Sequence, residues 1–302
     1  MTQQLFLPSL LIPEIYHPVM NDKGYTAGLI EELGSEGFYR SFEICDGFDA
    51  EDRGRIRTAA QANGLVITQW LTFFIYRHNL DVSSLDSSLR LETVRRIKEN
   101  LYLAAECGAS NVAFIPGPDP GIERRKEGFE AFYESLCAIC EEAASYNLTI
   151  LVEPLDRDAH KKRLVGPTEE AVALLSRVRQ QYLNAGIAFD TAHAALNGED
   201  IEQAIVLAGS CLEQIHFSNA ILDKESEGYG DHHMPIGLPG FLTTEKIASI
   251  LRAVGQPNDP EGKGVRIAME VRSHEQSDIE QNAKSARTIL EAAIQMAGKE
   301  SA

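Results

Sequence analysis

The sequence predicts an α/β protein folded as a single (β/α)8 TIM barrel, one domain over residues 1–302. Three observations carry this prediction. Short strand-like runs alternate with helix-like stretches along the whole chain, giving eight repeats. Four successive apolar runs in the second half, TILVEP, GIAFDTAH, EQIHFSN and RIAMEVR, each bring one polar residue to the end of the run. The glycine-rich phosphate turns GxGxxG and GxxxxGK[ST], which an open doubly wound sheet would carry, are absent.

Strands are expected at 5–12, 40–45, 65–75, 111–116, 149–153, 186–190, 213–217 and 266–270. Each is short and rich in Val, Ile, Leu and Phe, the composition of a strand buried on both faces. Helices are expected to follow at 24–35, 50–63, 84–107, 122–146, 167–182, 200–209, 243–254 and 277–297. Gly64 and Gly108 stand where a helix ends in a left-handed residue. Pro167 opens a first turn that continues Thr168, Glu169, Glu170, with the acids at the positive end of the helix. Asp200 precedes a periodic Ile/Ala/Leu run and suits an N-cap. The longest loops are expected at 218–242 and 255–264, both beside the proposed site.

Composition limits the function classes. The chain is 44% hydrophobic and 24% charged, which suits a globular protein that buries a large core. A net charge of −17 opposes the phosphate backbone of nucleic acid and favours a small neutral or metal-bridged substrate. The five cysteines are Cys45, Cys107, Cys137, Cys140 and Cys211, and an odd count in a large chain argues against a disulfide scaffold. Cys137 and Cys140 lie in a helical stretch and read as small core thiols. The N-terminal run lacks a basic region and is interrupted by Pro8 and Pro13, so it does not read as a signal peptide. No stretch is long and apolar enough to cross a membrane, and the expected location is the cytoplasm. Whether the chain forms a homo-oligomer is left open.

The polar residues ending the four runs are Glu153, Asp190, His216 and Glu270. Barrel active sites lie at the C-terminal strand ends, so these side chains converge there. Three carboxylates and an imidazole suit one divalent ion, with Mn, Mg, Co or Zn all compatible with a mixed O/N set. The alternative is that these acids pair with rim cations such as Arg157 and Arg272. Glu43 and Trp70, in strands two and three, and Tyr16 and His17, after strand one, lie where they could meet a substrate.

EPL at Glu153, DTAH at Asp190–His193, His216 and the ME ending at Glu270 resemble the xylose-isomerase-like TIM-barrel superfamily. That group contains ketose 3-epimerases, hydroxypyruvate isomerases, inosose dehydratases and apurinic endonucleases. The resemblance implies that Glu153, Asp190, His216 and Glu270 hold the metal, with manganese among the ions that suit them. It implies that Glu153 and Glu270 are the catalytic acid/base pair and that His193 binds substrate oxygen. His233, Arg272 and Trp70 are the further expected substrate contacts. The chemistry would be proton transfer beside a carbonyl, through a metal-bound enediolate, on a small-molecule carbohydrate.

The segment GYGDHHMPIGLPG contains Asp231 and His233, similar to the additional metal motif of the apurinic endonucleases. Those enzymes need further histidines from earlier strands, and Ile115 stands where one is expected. The second glutamate that many epimerases carry six residues after the first is Ala159 here, and Leu222 lies near the place of an expected arginine. The leading reading is therefore a sugar, polyol or keto-sugar isomerase or epimerase. A metal-dependent dehydratase or lyase on a cyclic polyol or oxo-sugar, and a non-catalytic sugar-binding barrel, stay open beside it.

Overall fold

A computed structural model describes residues 6–254 and 264–299. Nine strands are described. They are β1 (Phe6–Leu11), β2 (Ser41–Ile44), β3 (Val66–Trp70), β4 (Asn111–Phe114), β5 (Thr149–Val152), β6 (Ala185–Asp190), β7 (Leu212–Ile221), β8 (Gly230–Met234) and β9 (Val265–Glu270). Eight of them pair in parallel in the order β1 to β7 and then β9, and pairing of β6 with β7 and of β1 with β9 closes the ring. The protein is a (β/α)8 TIM barrel. The ninth strand, β8, runs antiparallel to the end of β7 as a hairpin arm outside the ring.

The α-helices are α1 (Ile12–Ile15), α2 (Tyr25–Glu36), α3 (Ala50–Asn63), α4 (Thr72–Arg77), α5 (Ser87–Glu106), α6 (Arg125–Ala144), α7 (Thr168–Val178), α8 (Thr191–Leu196), α9 (Ile201–Ala208), α10 (Thr244–Ala253) and α11 (Ile279–Lys299). Their ends follow local chemistry. Asp200 caps α9 by accepting the Gln203 N–H at 3.0 Å. Gly64 ends α3 at φ 61° and Gly108 follows α5 at φ 75°, where any other residue would be strained. Pro167 is the N-cap residue of α7, with Glu169 and Glu170 in the first turn.

Side-chain alternation along the strands divides the interior into two cores. Outward residues such as Phe42, Ile67, Phe114, Ile187 and Phe217 join the helices in one large apolar cluster. Leu11, Trp70, Ala113, Leu151, Ala188 and Ala268 form a second, small cluster inside the ring. Beside it the interior is polar: Ser9, Glu43, Thr68, Asn111, Gln214 and Arg266 are all buried.

Three local expectations are revised. The third strand stops at Trp70, and the apolar TFFIYR that follows is α4, which buries Phe74 and Ile75 in the large apolar cluster. The expected loop at 218–242 contains the end of β7 and all of β8. Its backbone is paired, with Ala220 opposite Asp231 and Asn219 opposite Met234. The short helices α1 and α8, directly after strand ends, were not expected. The other expected loop, 255–264, lies outside the described residues except for Gly264. Both cysteines of the CxxC lie on α6 as free thiols, Cys140 buried and Cys137 half-buried.

Phe217 is fully buried between β7 and the helices. Phe217→Ala should lower unfolding free energy by about 3–5 kcal/mol, since it leaves a cavity in a packed layer. Urea denaturation followed by circular dichroism measures this.

Candidate active site

Glu153 follows β5, and its N–H donates to the Phe114 carbonyl at 3.2 Å, which extends the strand pairing by one residue. Asp190 is the last residue of β6 and also caps α8. Its Oδ1 accepts the His193 N–H at 2.9 Å, so the DTAH motif is a strand end and a helix start at once. His216 sits in β7 directly opposite Asp190 and opposite Ala268. Glu270 ends β9 one alternation further along, beside Ser218. Inward orientation at these registers brings the four side chains together at the C-terminal mouth. One ligand-type atom from each lies within 4.8 Å of the others, and all four residues are buried.

Two atoms in this cluster, Asp190 Oδ2 and His216 Nδ1, are buried without a hydrogen-bond partner. Such atoms are costly unless something else satisfies them. His216 Nδ1 lies 3.2 Å from Glu270 Oε2 and 3.6 Å from Glu153 Oε1, yet forms no hydrogen bond with either. Buried ligand-type atoms crowded about one point, two of them without a hydrogen-bond partner, fit the ligand set of a cation.

The protein's own charges act unevenly on the cluster. Burial pushes the Glu153 carboxyl up and holds that of Asp190 well above the usual range. Burial also acts to raise Glu270, but His233 and His216 outweigh it and leave Glu270 lowered. Burial opposes protonation of His216, and Glu43 and Glu270 outweigh it, so its pKa lies well above the ordinary value. Glu153 and Glu270 therefore sit in environments that push in opposite directions.

Glu153, His216 and Glu270 of the cluster floor a cavity of about 270 Å³. Leu11, Pro13, Trp70, Phe73, Ile115 and Leu155 give it an apolar wall, and Glu14, Lys161, His193, His233 and Arg272 form the polar side. All four expected substrate contacts, His193, His233, Arg272 and Trp70, line this cavity. Each is also held from behind. His193 Nδ1 is 3.1 Å from Asp156 Oδ2, and its pKa is raised to about 9; burial opposes this, and Asp190 and Asp156 outweigh burial. His233 Nδ1 is 2.7 Å from Glu14 Oε2, while its Nε2 lies 3.1 Å from Asp231 and 3.6 Å from Glu270. Arg272 donates twice to Glu14, at 2.6 and 2.8 Å. Trp70 Nε1 donates to Glu43 at 2.6 Å.

The rim arginines do not neutralise the four-residue cluster. Arg157 pairs with Glu170 and the Leu164 carbonyl, and Arg272 is taken up by Glu14. Glu43 does not line the cavity, and neither do Tyr16 and His17. Glu14 and Lys161 are the charged cavity residues that sequence reading missed. Lys161 reaches in from the loop after β5 and pairs with Asp231 at 3.2 Å. Asp156 shapes that loop, its Oδ1 accepting the N–H groups of His160 and Lys161. The available signal was position alone, since both residues follow strand ends.

Glu14, His233 and Glu270 form a second group of close ligand-type atoms. Its charge is already answered, because the Arg272 guanidinium grips Glu14 and the Lys161 ammonium sits against Asp231. Fixed cations there repel a further metal ion.

Comparisons place this geometry among known folds. No curated protein sequence matches the chain. Among solved structures, D-psicose 3-epimerase with D-tagatose from Clostridium cellulolyticum H10 is 16% identical, with a TM-score of 0.67 over 96% of this chain and 98% of that one. The 3-keto-D-glucoside 4-epimerase YcjR from E. coli is 16% identical, with a TM-score of 0.66 over 97% and 99%. The IolI protein with a bound zinc atom is 15% identical, with a TM-score of 0.69 over 97% and 98%. At these identities the likeness is one of fold, a barrel shared with sugar epimerases. Residues 28–293 match the sequence profile of the xylose isomerase-like TIM barrel, and the chain belongs to that family.

Proposed function

We propose that the protein is a divalent-metal-dependent isomerase or epimerase acting on a small sugar, polyol or keto-sugar. One observation carries the reading: two buried glutamates from strands on either side of His216 converge on its Nδ1 at the floor of a cavity. Glu153, Asp190, His216 and Glu270 would hold the ion, which when bound supplies a Lewis acid for a carbonyl oxygen. The names of the epimerases that share the fold support a carbohydrate substrate. The donor set suits Mn, Mg, Co or Zn, and the zinc atom in the IolI structure of the same fold supports a metal-binding reading.

The chain's own residues would divide the work. One glutamate of the pair removes the proton beside the carbonyl, and the other returns a proton to the neighbouring carbon or to the opposite face. His193 and Lys161 present N–H groups to substrate oxygens. The apolar wall and Trp70 exclude water from the reacting carbon and pack against a sugar face. No helix among the described residues is long and apolar enough to cross a membrane.

Incubating the protein and Mn²⁺ with ketoses, inososes and oxo-sugars in D2O, read by NMR, tests the activity. An exchanged carbon-bound proton is expected with at least one substrate, and binding without exchange on every candidate would leave a sugar binder instead. Glu270→Gln should lower turnover by about 10²–10⁴-fold while the fold is retained. Asp190→Asn should weaken metal binding, and added metal should restore part of its activity. The need for one acid and one base predicts a bell-shaped dependence of kcat/KM on pH, and a profile with a single limb would contradict it. His233→Ala should impair substrate use more than metal affinity, because its ring is held by Glu14 and Asp231 beside the cluster. Equal large losses of both would make His233 a ligand.

A further inference from the structure

Glu43 is fully buried in β2, outside the cavity, and beneath the proposed metal cluster. An ionised carboxylate in a barrel interior is expensive unless it is surrounded by donors. Glu43 has them. Ser9 Oγ donates to Oε1 at 2.9 Å. At Oε2 the Trp70 indole N–H donates at 2.6 Å and the Gln214 amide at 2.5 Å, and His216 Nε2 lies 2.8 Å away.

We infer that Glu43 is a positioning residue: it grips His216 by Nε2 and so makes Nδ1 the atom presented to the metal. The inference rests on the metal-dependent reading of the cluster. The Gln214 amide nitrogen and His216 Nε2 lie 2.9 Å apart and both face Glu43 Oε2, at 2.5 and 2.8 Å. A carboxylate only accepts hydrogen bonds, so this shared oxygen takes one N–H from each, and Nε2 carries the ring proton. In the neutral ring the other nitrogen is then bare and able to bind a cation. That nitrogen is the one left buried without a hydrogen-bond partner, between Glu270 and Glu153.

The grip is itself fixed from below. Arg266 is buried inside the ring, and its Nε donates to Gln214 Oε1 at 3.2 Å. Thr68 Oγ1 contacts the same oxygen at 3.5 Å. With its oxygen turned to these donors, the Gln214 amide must point its NH2 at Glu43. The positive charge of Arg266 thus reaches Glu43 through one amide. Arg266, Gln214, Glu43 and His216 form a continuous buried line that ends at the cluster. Trp70 adds the lateral constraint, with its ring 5.0 Å from that of His216.

The competing arrangement is a doubly protonated His216 that only neutralises Glu43, Glu153 and Glu270. Metal binding separates the two. Trp70 is the only tryptophan in the sequence and lies against His216, so its fluorescence reports Mn²⁺ entry. The wild-type chain should show saturable quenching on Mn²⁺ titration, matched by loss of the free-Mn²⁺ electron paramagnetic resonance signal. Glu43→Gln should need about 10–100-fold more Mn²⁺ for the same occupancy, as removal of a ligand's supporting partner does. Its cooperative thermal unfolding should persist. A second measurement needs no variant at position 43. Long-range ¹H–¹⁵N spectra of the Zn²⁺-loaded wild-type chain should show His216 protonated at Nε2 and metal-bound at Nδ1, its signals identified by their loss in His216→Gln. A Glu43→Gln titration that coincides with wild type, or a zinc-bound Nε2, overturns the inference and leaves the metal reading standing. No saturable binding of Mn²⁺ or Zn²⁺ by the wild-type chain overturns the metal reading itself, and this inference falls with it.

Discussion

Glu153, Asp190 and Glu270 are buried within one cluster, and three carboxyl groups out of water need positive charge or protons close by. Much of the barrel mouth answers this need. His216 lies between Glu270 and Glu153, and His233 lies between Glu14, Asp231 and Glu270. Lys161 and Arg272 neutralise the flanking acids Asp231 and Glu14. That division leaves Asp190 Oδ2 and His216 Nδ1 as the unsatisfied atoms of the four-residue cluster. Fixed cations thus answer the acids at the rim and not those on the floor.

The same need shapes the inside of the ring. Small-to-medium barrels usually fill their interiors with branched apolar side chains. Here the apolar layer is reduced to six residues, three of them alanine, and a buried polar network lies beside it. An apolar filling would leave His216 free to rotate about its side-chain bonds. Hydrogen bonds through Glu43, Gln214 and Arg266 give the imidazole one orientation.

The hairpin of β7 and β8 connects the fold to the pocket. Ladder pairing fixes Asp231 and Met234, His233 stands at the irregularity between them, and the Arg272 N–H donates to the His233 carbonyl at 2.9 Å. Asn219 holds the following turn through bonds to the carbonyls of Pro235 and Gly237 and to the Leu242 N–H. His233 is therefore held on a paired hairpin, a stiffer support than an open loop.

The sequence by itself determined the repeat, the class of fold and the chemical types at the strand ends. These are local properties. A run such as GIAFD needs only its own residues to be a buried strand, and Asp190 needs only His193 three residues on to become a cap. The inward direction of Glu153, Asp190, His216 and Glu270 follows from strand alternation once the ring is known. The end of the third strand was illegible for the opposite reason. TFFIYR has the composition of a strand, and only its position beyond the rim makes it α4. Tertiary structure alone decided the remaining partners. Glu14 meets His233 across 219 residues and Arg272 across 258, contacts that exist only because β1 closes against β9. Glu43, by its place in β2, was expected where it could meet a substrate, yet it meets Gln214 across 171 residues beneath the pocket. Strand spacing gives the face on which a side chain lies. Its depth in the barrel depends on the stagger of strands paired far apart in the chain, which no local pattern encodes.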